Sequence, residues 1–379
     1  MSRGSIIKRG STYSIVLDLG RGPDGRRVRR WHSGYRTKKD AERARTELLA
    51  SVDQGAYVEP SRLTLAAFLR QQWLPGLAGR VRATTLHSYR TNLERYVLPR
   101  IGQVMLQRLT PAHLNALYGA LQVAGGRNGQ PLSGRTVQAV HMTVRKALGD
   151  AARWGLVARN VAQLADPPTP KRADMRTWTA GELRRFLEHV EGERLAALWR
   201  LAASTGMRRG EVLGLRWVDV DLDRARVAVR QTLVVAGRQV VTSEPKTSRG
   251  RRSIALDPRT VAQLRAWRAA QAAERLQWGS TWVDTGLVFT REDGSPLHPE
   301  WLSDAFAWRI KQADLSSIRF HDLRHTHASL GLAAGVPIKV MSERLGHSTS
   351  SFTADAYQHV TPALEEQAAA TVARLVFDP

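Results

Sequence analysis

The chain has 379 residues, of which 42% are hydrophobic, and a formal net charge of +23. This length and apolar content allow two or three folded domains and exclude a mainly disordered chain. There is no cysteine, which excludes a disulfide framework and thiol chemistry. The first residues lack the apolar core of a signal peptide, and no apolar run reaches the length of a membrane span. We therefore expect a soluble, cytoplasmic protein.

The positive charge is unevenly distributed along the chain. Residues 1–60 carry 13 Lys and Arg against 7 Asp and Glu, and residues 61–170 carry 14 against 3. A surface that is charged only for solubility normally mixes both signs. Such a concentration of positive charge predicts a polyanionic partner, namely DNA, for the N-terminal half of the chain.

Residues 1–60 predict a small sheet followed by one helix. Residues 13–19 are rich in β-formers, residues 21–25 have turn chemistry, and residues 26–35 are expected to return as a partner strand. Thr37 and Asp40 have the spacing of a capping box, which begins a helix that ends near Gly55. We expect the basic side chains of this domain to bind DNA as β-ribbon proteins do, with an oligomerisation domain as the alternative. These side chains are Arg26, Arg27, Arg29, Arg30, Lys38 and Lys39.

Residues 61–166 predict a helical DNA-binding domain. Four segments (63–73, 85–98, 111–121 and 134–154) have the apolar periodicity of helices. Their phosphate contacts would give most of the affinity for DNA. The candidate side chains are Arg80, Arg82, Arg90, Arg135, Arg145 and Lys146. Three prolines then predict a semi-rigid linker over residues 167–177.

Residues 178–379 are expected to carry the chemistry. Thr179 is placed to cap a helix over residues 180–190, and a buried helix over 195–203 leads to the sequence Thr-Gly-Met-Arg-Arg-Gly-Glu at residues 205–211. Strand-like runs follow at 225–233, 238–242 and 251–256. Lys246 lies between the last two, and it is the only lysine from residue 172 to residue 310.

The C-terminal part of the chain predicts a phosphate-binding site. His321 and Arg324 are one helical turn apart and therefore share a helix face. His347 follows Gly346, a favourable residue just after a helix, and Tyr357 comes ten residues later. As an alternative, histidines at 321, 325 and 327 are candidates for metal ligands. However, His321 is followed by Asp322 and not by the Glu of the HExxH motif, so a phosphate site with a phenolic nucleophile is favoured.

The ordered set of motifs resembles the tyrosine recombinase (phage integrase) family. The matching parts are the box at 205–211, the lysine between two strands, His-x-x-Arg at 321–324, Leu-Gly-His at 345–347, and the final tyrosine. This resemblance selects Arg208 over its neighbour Arg209 and gives Glu211 the role of orienting it. The catalytic residues that it implies are Arg208, Lys246, His321, Arg324, His347 and Tyr357.

The resemblance also implies a fold and a reaction. The fold is multidomain and mainly α with small β-sheets: an arm-site DNA-binding domain, a helical core-site DNA-binding domain and a mixed α+β catalytic domain. The reaction is site-specific recombination of double-stranded DNA through a 3′-phosphotyrosine bond, which requires neither ATP nor a metal cofactor. The implied assembly is a homotetramer on DNA, with the helix that begins at Thr361 docking on a neighbouring protomer or, as the alternative, on its own domain. A directionality factor is a further expected partner.

Two other functions remain open at this point. One is a nicking-closing enzyme similar to type IB topoisomerases, and the other is a non-catalytic DNA-binding regulator derived from a recombinase. The arm-like N-terminal domain argues against the first, and the complete six-residue set argues against the second.

Overall fold

The computed structural model describes residues 4–21, 24–55, 57–170, 175–237, 239–244 and 250–346. The chain divides into two compact units, residues 1–172 and residues 173–379. No described helix combines the length and the apolar character that crossing a membrane requires. The domain boundaries that the sequence places at 60, 166 and 177 stay predictions.

An antiparallel sheet begins the first unit. Its strands pair in chain order, and one helix packs on them: β1 (Gly4–Arg9), β2 (Thr12–Arg21), β3 (Arg27–Tyr35) and α1 (Lys38–Asp53). Ile15, Leu17 and Ala41 are fully buried between sheet and helix. The Thr37 hydroxyl accepts the Asp40 backbone N–H at 3.1 Å and thereby caps α1. The predicted sheet-plus-helix is confirmed.

A helical bundle completes the first unit. Its α-helices are α2 (Leu65–Ala67), α3 (Leu74–Gly76), α4 (Ala83–Asn92), α5 (Leu98–Ile101), α6 (Pro111–Ala124) and α7 (Gly134–Arg153). Thr110 and Ser133 cap the last two by accepting backbone N–H groups from the first turn. Trp73 and Tyr118 are the largest fully buried side chains of the bundle.

Two of the four predicted helices are not regular. Residues Phe68–Trp73 and Leu93–Val97 form π-helical turns, where the sequence predicts ordinary helices over 63–73 and 85–98. Each π-helical turn comes directly before a Leu-Pro pair, which ends in Pro75 or Pro99. Proline has no N–H to donate, and its ring crowds the carbonyl four residues earlier, so the turn before it widens. Apolar periodicity alone does not reveal this change.

The second unit mixes helices with two small antiparallel sheets. Its helices are α8 (Ala180–His189), α9 (Ala196–Thr205), α10 (Arg209–Leu213), α11 (Pro258–Trp278), α12 (Pro299–Gln312), α13 (Asp322–Ala333) and α14 (Ile338–Leu345). One sheet has the spatial order β4 (Val220–Asp221), β5 (Arg226–Val229), β8 (Arg252–Ala255). The other is the hairpin β6 (Thr232–Ala236), β7 (Gln239–Ser243).

An aromatic cluster fixes the centre of the second unit. The Trp199 ring on α9 lies 6.0 Å from that of Phe306 on α12, and the Phe306 and Phe320 rings are 5.5 Å apart, centroid to centroid. All three side chains are buried, and aromatic pairs of this kind add to the free energy of burial. As a result α9 is held in the core with α11 and α13 packed against it, and the ends of α9 and α13 are fixed relative to each other.

Candidate active site and nucleic-acid-binding surfaces

The C-terminal end of α9 is the point around which the described site residues gather. Gly206 follows α9 in the left-handed conformation, with a φ of +63°. A Cβ at this position would lie 2.6 Å from Leu345 Cδ2 and 3.0 Å from His327 Cδ2. Glycine is therefore required here for both its conformational freedom and its small size. The turn leads directly to Arg208, the residue before α10.

Arg208 is held by a buried carboxylate and by the end of α14. Its Nη1 donates to Glu211 Oε1 at 2.7 Å, and its backbone N–H donates to Glu211 Oε2 at 2.9 Å. Its Nη2 donates to the Gly346 carbonyl at 3.3 Å. Glu211 is only 4% exposed. Burial acts to raise the pKa of Glu211, but hydrogen bonds and charge from neighbouring arginines outweigh it and lower this pKa. The carboxylate thus stays ionised and orients the guanidinium.

Arg209 points to a different part of the unit. Its Nη1 donates to Ser303 Oγ on α12 at 2.6 Å, whereas Arg208 is held by Glu211 and Gly346. This geometry favours Arg208 over Arg209 as the site arginine.

Arg324 approaches the same turn from α13. Its Nη1 donates to the Gly206 carbonyl at 2.9 Å, and the residue is 2% exposed. The last carbonyls of a helix have no partner within the helix and carry partial negative charge. The C-terminal end of α9 therefore stabilises the buried guanidinium, and Arg324 is brought close to Arg208 along the same short turn.

His321 lies directly before α13 and belongs to the same group. Its side chain is exposed, yet desolvation by the surrounding protein is the largest cause that lowers the pKa of His321 to about 4. The charges of Arg324 and Arg208 lower it further. Near neutral pH the imidazole is therefore uncharged and able to accept a proton. Arg208, His321 and Arg324, which the sequence singles out, are brought together by the fold.

The remaining predicted site residues, Lys246, His347 and Tyr357, lie outside the described residues and stay predictions. Described residues flank two of them. Gly346, in the left-handed conformation with a φ of +69°, ends α14 immediately before His347. Glu244 and Gly250 flank the segment that contains Lys246.

Three histidines on or next to α13 raise the question of a metal site. The His321 and His325 rings meet edge to face with centroids 5.2 Å apart, and His327 Nε2 is instead 3.1 Å from Arg344 Nε. In the part of the chain that the structure describes, no group of three or more His, Asp or Glu side chains is arranged to hold a metal ion.

The buried position of His327 is expected to make this unit less stable in acid. Desolvation is the largest cause that lowers the pKa of His327, to about 4, and the charge of Arg344 adds to it. An unfolded histidine has a pKa of about 6.5, so between these values the unfolded chain binds more protons. This contribution to stability is present above about pH 6.5 and is lost as the pH falls towards 4.

We expect the urea midpoint of unfolding to fall between about pH 7 and about pH 5, and to fall less in His327→Gln. Glutamine keeps an acceptor for Arg344 but does not titrate. His87→Gln, a change at an exposed residue of α4, is the control for the substitution itself and should leave the midpoint at pH 7 unchanged. An identical pH dependence in His327→Gln and the unmodified chain would contradict this assignment.

Sequence reasoning does not single out Arg252, which contacts the site from β8. It donates to both carboxylate oxygens of Glu211, at 3.2 and 2.8 Å. The alternation of side chains along a strand could have indicated this role. Arg252 lies on the same side of the strand as Ile254 and Leu256, both of which are buried. A charged residue on the inner face of a strand needs a buried partner.

The predicted DNA-binding side chains of the first domain do not all face the same way. Arg27, Arg29 and Trp31 alternate along β3 as exposed residues, and Arg9 lies over the Trp31 ring at 4.5 Å. Arg30 has the opposite parity and pairs with Glu59 at 2.8 Å. Arg26, Lys38 and Lys39 are also exposed.

In the helical bundle, Arg80, Arg82, Arg90, Arg135 and Arg145 are exposed. Lys146 has an internal partner: its Nζ lies 2.7 Å from the buried carboxylate of Asp150, which also accepts the Trp73 indole N–H at 2.8 Å. Lys146 therefore stabilises the bundle, and its contact with DNA stays a prediction, as do those of the other basic residues.

Comparison with known proteins assigns the three parts of the chain. Residues 176–363 match the Phage integrase family, residues 5–52 an Arm DNA-binding domain, and residues 65–121 the N-terminal SAM-like domain of phage integrases. A tyrosine recombinase XerC-like protein of Caldanaerobacter subterraneus subsp. tengcongensis is 29% identical, over 97% of this chain and 97% of its own. An integrase of Streptomyces ambofaciens is 29% identical, over 91% of this chain and 89% of its own.

Solved structures agree on the fold. The Tn1549 transposon integrase in complex with transposon right end DNA has a TM-score of 0.67 at 19% identity, covering 83% of this chain and 99% of that one. A lambda integrase dimer bound to a COC′ core site has a TM-score of 0.55 at 16% identity, covering 94% and 95%.

The chain belongs to the phage integrase family of tyrosine recombinases. By family it is a DNA strand transferase, with the arm-binding, SAM-like and catalytic domains that its motifs predict. The predicted family, fold class and enzyme class are confirmed.

Proposed function

We propose that the chain is a site-specific DNA recombinase, the integrase of a phage or other mobile element, which cuts and rejoins two duplexes through a 3′-phosphotyrosine intermediate. The observation that carries the proposal is the convergence of Arg208, Arg324 and an uncharged His321 at the end of α9. Two fixed guanidinium groups and one available base are what in-line attack on a phosphodiester anion requires.

Each proposed role follows from where charge develops. Arg208 and Arg324 hold the non-bridging oxygens, on which negative charge builds during attack. Tyr357 Oη forms a bond to phosphorus and loses its proton to His321. The bond from phosphorus to the 5′-oxygen breaks, and Lys246 donates a proton to that oxygen. His347 donates a hydrogen bond to the phosphate. The new ester keeps the energy of the original bond, so rejoining is the same reaction in reverse.

The first domain suits a second DNA site. The outer face of its sheet carries Arg27, Arg29 and Trp31, opposite the face that packs on α1, and two- or three-stranded sheets of this size fit the major groove. We infer that this face binds arm-type DNA while the helical bundle binds the core site. Phosphate contacts from the exposed arginines would make both affinities strongly dependent on salt.

The assembly and cellular setting belong to the same proposal. A lambda integrase tetramer bound to a Holliday junction shares the fold, with a TM-score of 0.55 at 17% identity. We infer that this chain works as a homotetramer on DNA, with a directionality factor as a further partner, in the cytoplasm and associated with the nucleoid.

The direct test is a covalent adduct with a chosen DNA substrate. The attachment site is to be sought as a short direct repeat in the DNA that flanks the gene. A labelled duplex that carries this site, with a nick that lets the cleaved end diffuse away, should give a protein–DNA adduct stable to denaturant. Two such duplexes should also exchange strands. Relaxation of any supercoiled plasmid without strand exchange would instead indicate the topoisomerase-like activity. Binding without any adduct would indicate a non-catalytic regulator.

A further inference from the structure

Arg252 is a buried arginine outside the predicted catalytic set. It lies at the start of β8, and its side chain is only 6% exposed. Burying a guanidinium is costly unless every donor finds a partner. The partners of Arg252 therefore indicate why the position holds arginine.

Those partners come from three separate segments. Arg252 Nη1 and Nη2 donate to the two carboxylate oxygens of Glu211 at 3.2 and 2.8 Å. Its Nε donates to the Arg344 carbonyl on α14 at 2.6 Å. Its Nη1 also donates to the Gly250 carbonyl at 3.3 Å. One planar group thus joins α10, α14 and the chain that leads into β8.

Each of these segments is connected to the chemistry. Glu211 is the carboxylate that holds Arg208. Arg344 comes two residues before Gly346, whose carbonyl accepts from Arg208 Nη2 and which directly precedes His347. Gly250 comes four residues after Lys246. Movement of the Arg252 guanidinium would therefore disturb both the carboxylate and the helix end that fix Arg208.

We propose that Arg252 is a positioning residue for strand cleavage, which aligns Arg208 with the scissile phosphate by tying Glu211 to the end of α14. The inference rests on the proposed function of the chain. Arg252 itself is placed to touch neither DNA nor the reacting atoms, because its side chain is buried and each of its three guanidinium nitrogens donates within the protein.

The geometry explains why lysine would not replace it. Both oxygens of Glu211 are shared, Oε1 with Arg208 Nη1 and Oε2 with the Arg208 backbone N–H. A fork with donors on separate nitrogens can serve both oxygens and a carbonyl on the opposite side at once. A lysine ammonium is a single point of charge. Arg252→Lys would keep the positive charge beside Glu211 but lose the hydrogen bond to the Arg344 carbonyl. Glu211, which holds Arg208, would then no longer be tied to α14.

The competing explanation is a purely structural ion pair, and the chain offers a matched control for it. Arg194 makes the same two-pronged contact with Glu274, at 2.5 and 2.7 Å, and also donates to a carbonyl, that of Thr290. Arg194→Lys therefore removes an interaction of the same type, at a more exposed position, from the same unit without touching α10 or α14.

The experiment measures single-turnover cleavage of the nicked duplex by the full chain, with DNA affinity and melting temperature measured in parallel. We expect Arg252→Lys to cleave about 100-fold more slowly, the size of effect that a small misplacement near a reacting centre produces, with unchanged affinity. Arg194→Lys should also lower the melting temperature yet cleave at the normal rate.

A second substrate distinguishes misalignment of Arg208 from a general loss of structure in Arg252→Lys. Replacing one non-bridging oxygen of the scissile phosphate by methyl removes the charge that the arginines stabilise. The defect of Arg252→Lys relative to the unmodified chain should then largely disappear. Normal cleavage of the phosphate by Arg252→Lys, an equal loss in Arg194→Lys, or an equal defect on both substrates would each overturn the inference. Failure of the unmodified chain to form any adduct would instead overturn the proposed function.

Discussion

Replacing Tyr357 by phenylalanine is expected to abolish the covalent adduct while leaving DNA binding intact, because the change removes only the oxygen that attacks phosphorus. Loss of the nucleophile in a covalent mechanism costs more than about 10³-fold in rate. The other six of the chain's seven tyrosines lie at or before residue 118, so no second phenol is available within residues 173–379. Denaturing electrophoresis of labelled DNA measures the adduct, and a gel-shift titration measures binding.

Tyr89→Phe is the matched control for this experiment. The Tyr89 ring packs against Trp73 in the helical bundle, with ring centroids 5.4 Å apart, so losing its hydroxyl should not affect cleavage. If Tyr357→Phe still forms an adduct, another residue attacks the phosphate and the assignment of Tyr357 is wrong.

Lys246→Arg is expected to cleave about 10²–10⁴-fold more slowly although the positive charge is kept, which is the usual loss when a general acid is removed. Lysine is able to give a proton to the departing 5′-oxygen, whereas an arginine with a pKa above about 12 is a poor donor near neutral pH. If Lys246 only attracted phosphate, arginine would replace it with little loss.

A DNA substrate with sulfur at the 5′-bridging position separates the two roles of Lys246. A thiolate leaves without needing a proton, so Lys246→Arg should regain cleavage on this substrate alone. Lys311→Arg, an exposed position on α12, should cleave both substrates normally. A defect of equal size on the oxygen and sulfur substrates would show that Lys246 holds the phosphate and does not donate the proton.

Local signals in the sequence predict much of the fold. Thr37 and Thr179 were identifiable as helix caps because a cap depends on residues only three positions apart, and both hydroxyls accept the expected backbone N–H groups. The helix that ends at Gly346 is equally local, since its left-handed end favours glycine. The family motifs supplied the site residues, of which Arg208, His321 and Arg324 are brought together.

Sequence reasoning missed one interaction between distant segments and two local features. Arg252 and Glu211 are 41 residues apart, and pairing them requires both the inner face of β8 and the placement of α10. Lys146 is predicted to contact DNA because it is basic, and its four-residue spacing from Asp150 also gives it an internal partner, which the sequence analysis does not consider. The π-helical turns before Pro75 and Pro99 arise from backbone crowding, which the spacing of apolar residues does not reveal.

The turn after α9 also bears on when the protein becomes active during its synthesis. The contacts that complete it join residues far apart in the chain: Arg208 Nη2 and the Gly346 carbonyl are 138 residues apart, and Arg324 Nη1 and the Gly206 carbonyl are 118 apart. Translation proceeds at about 5–20 residues per second. Several seconds therefore pass between the synthesis of Arg208 and that of Gly346. Residues 1–172, which carry the DNA-binding domains, are therefore synthesised well before the proposed catalytic site can be completed.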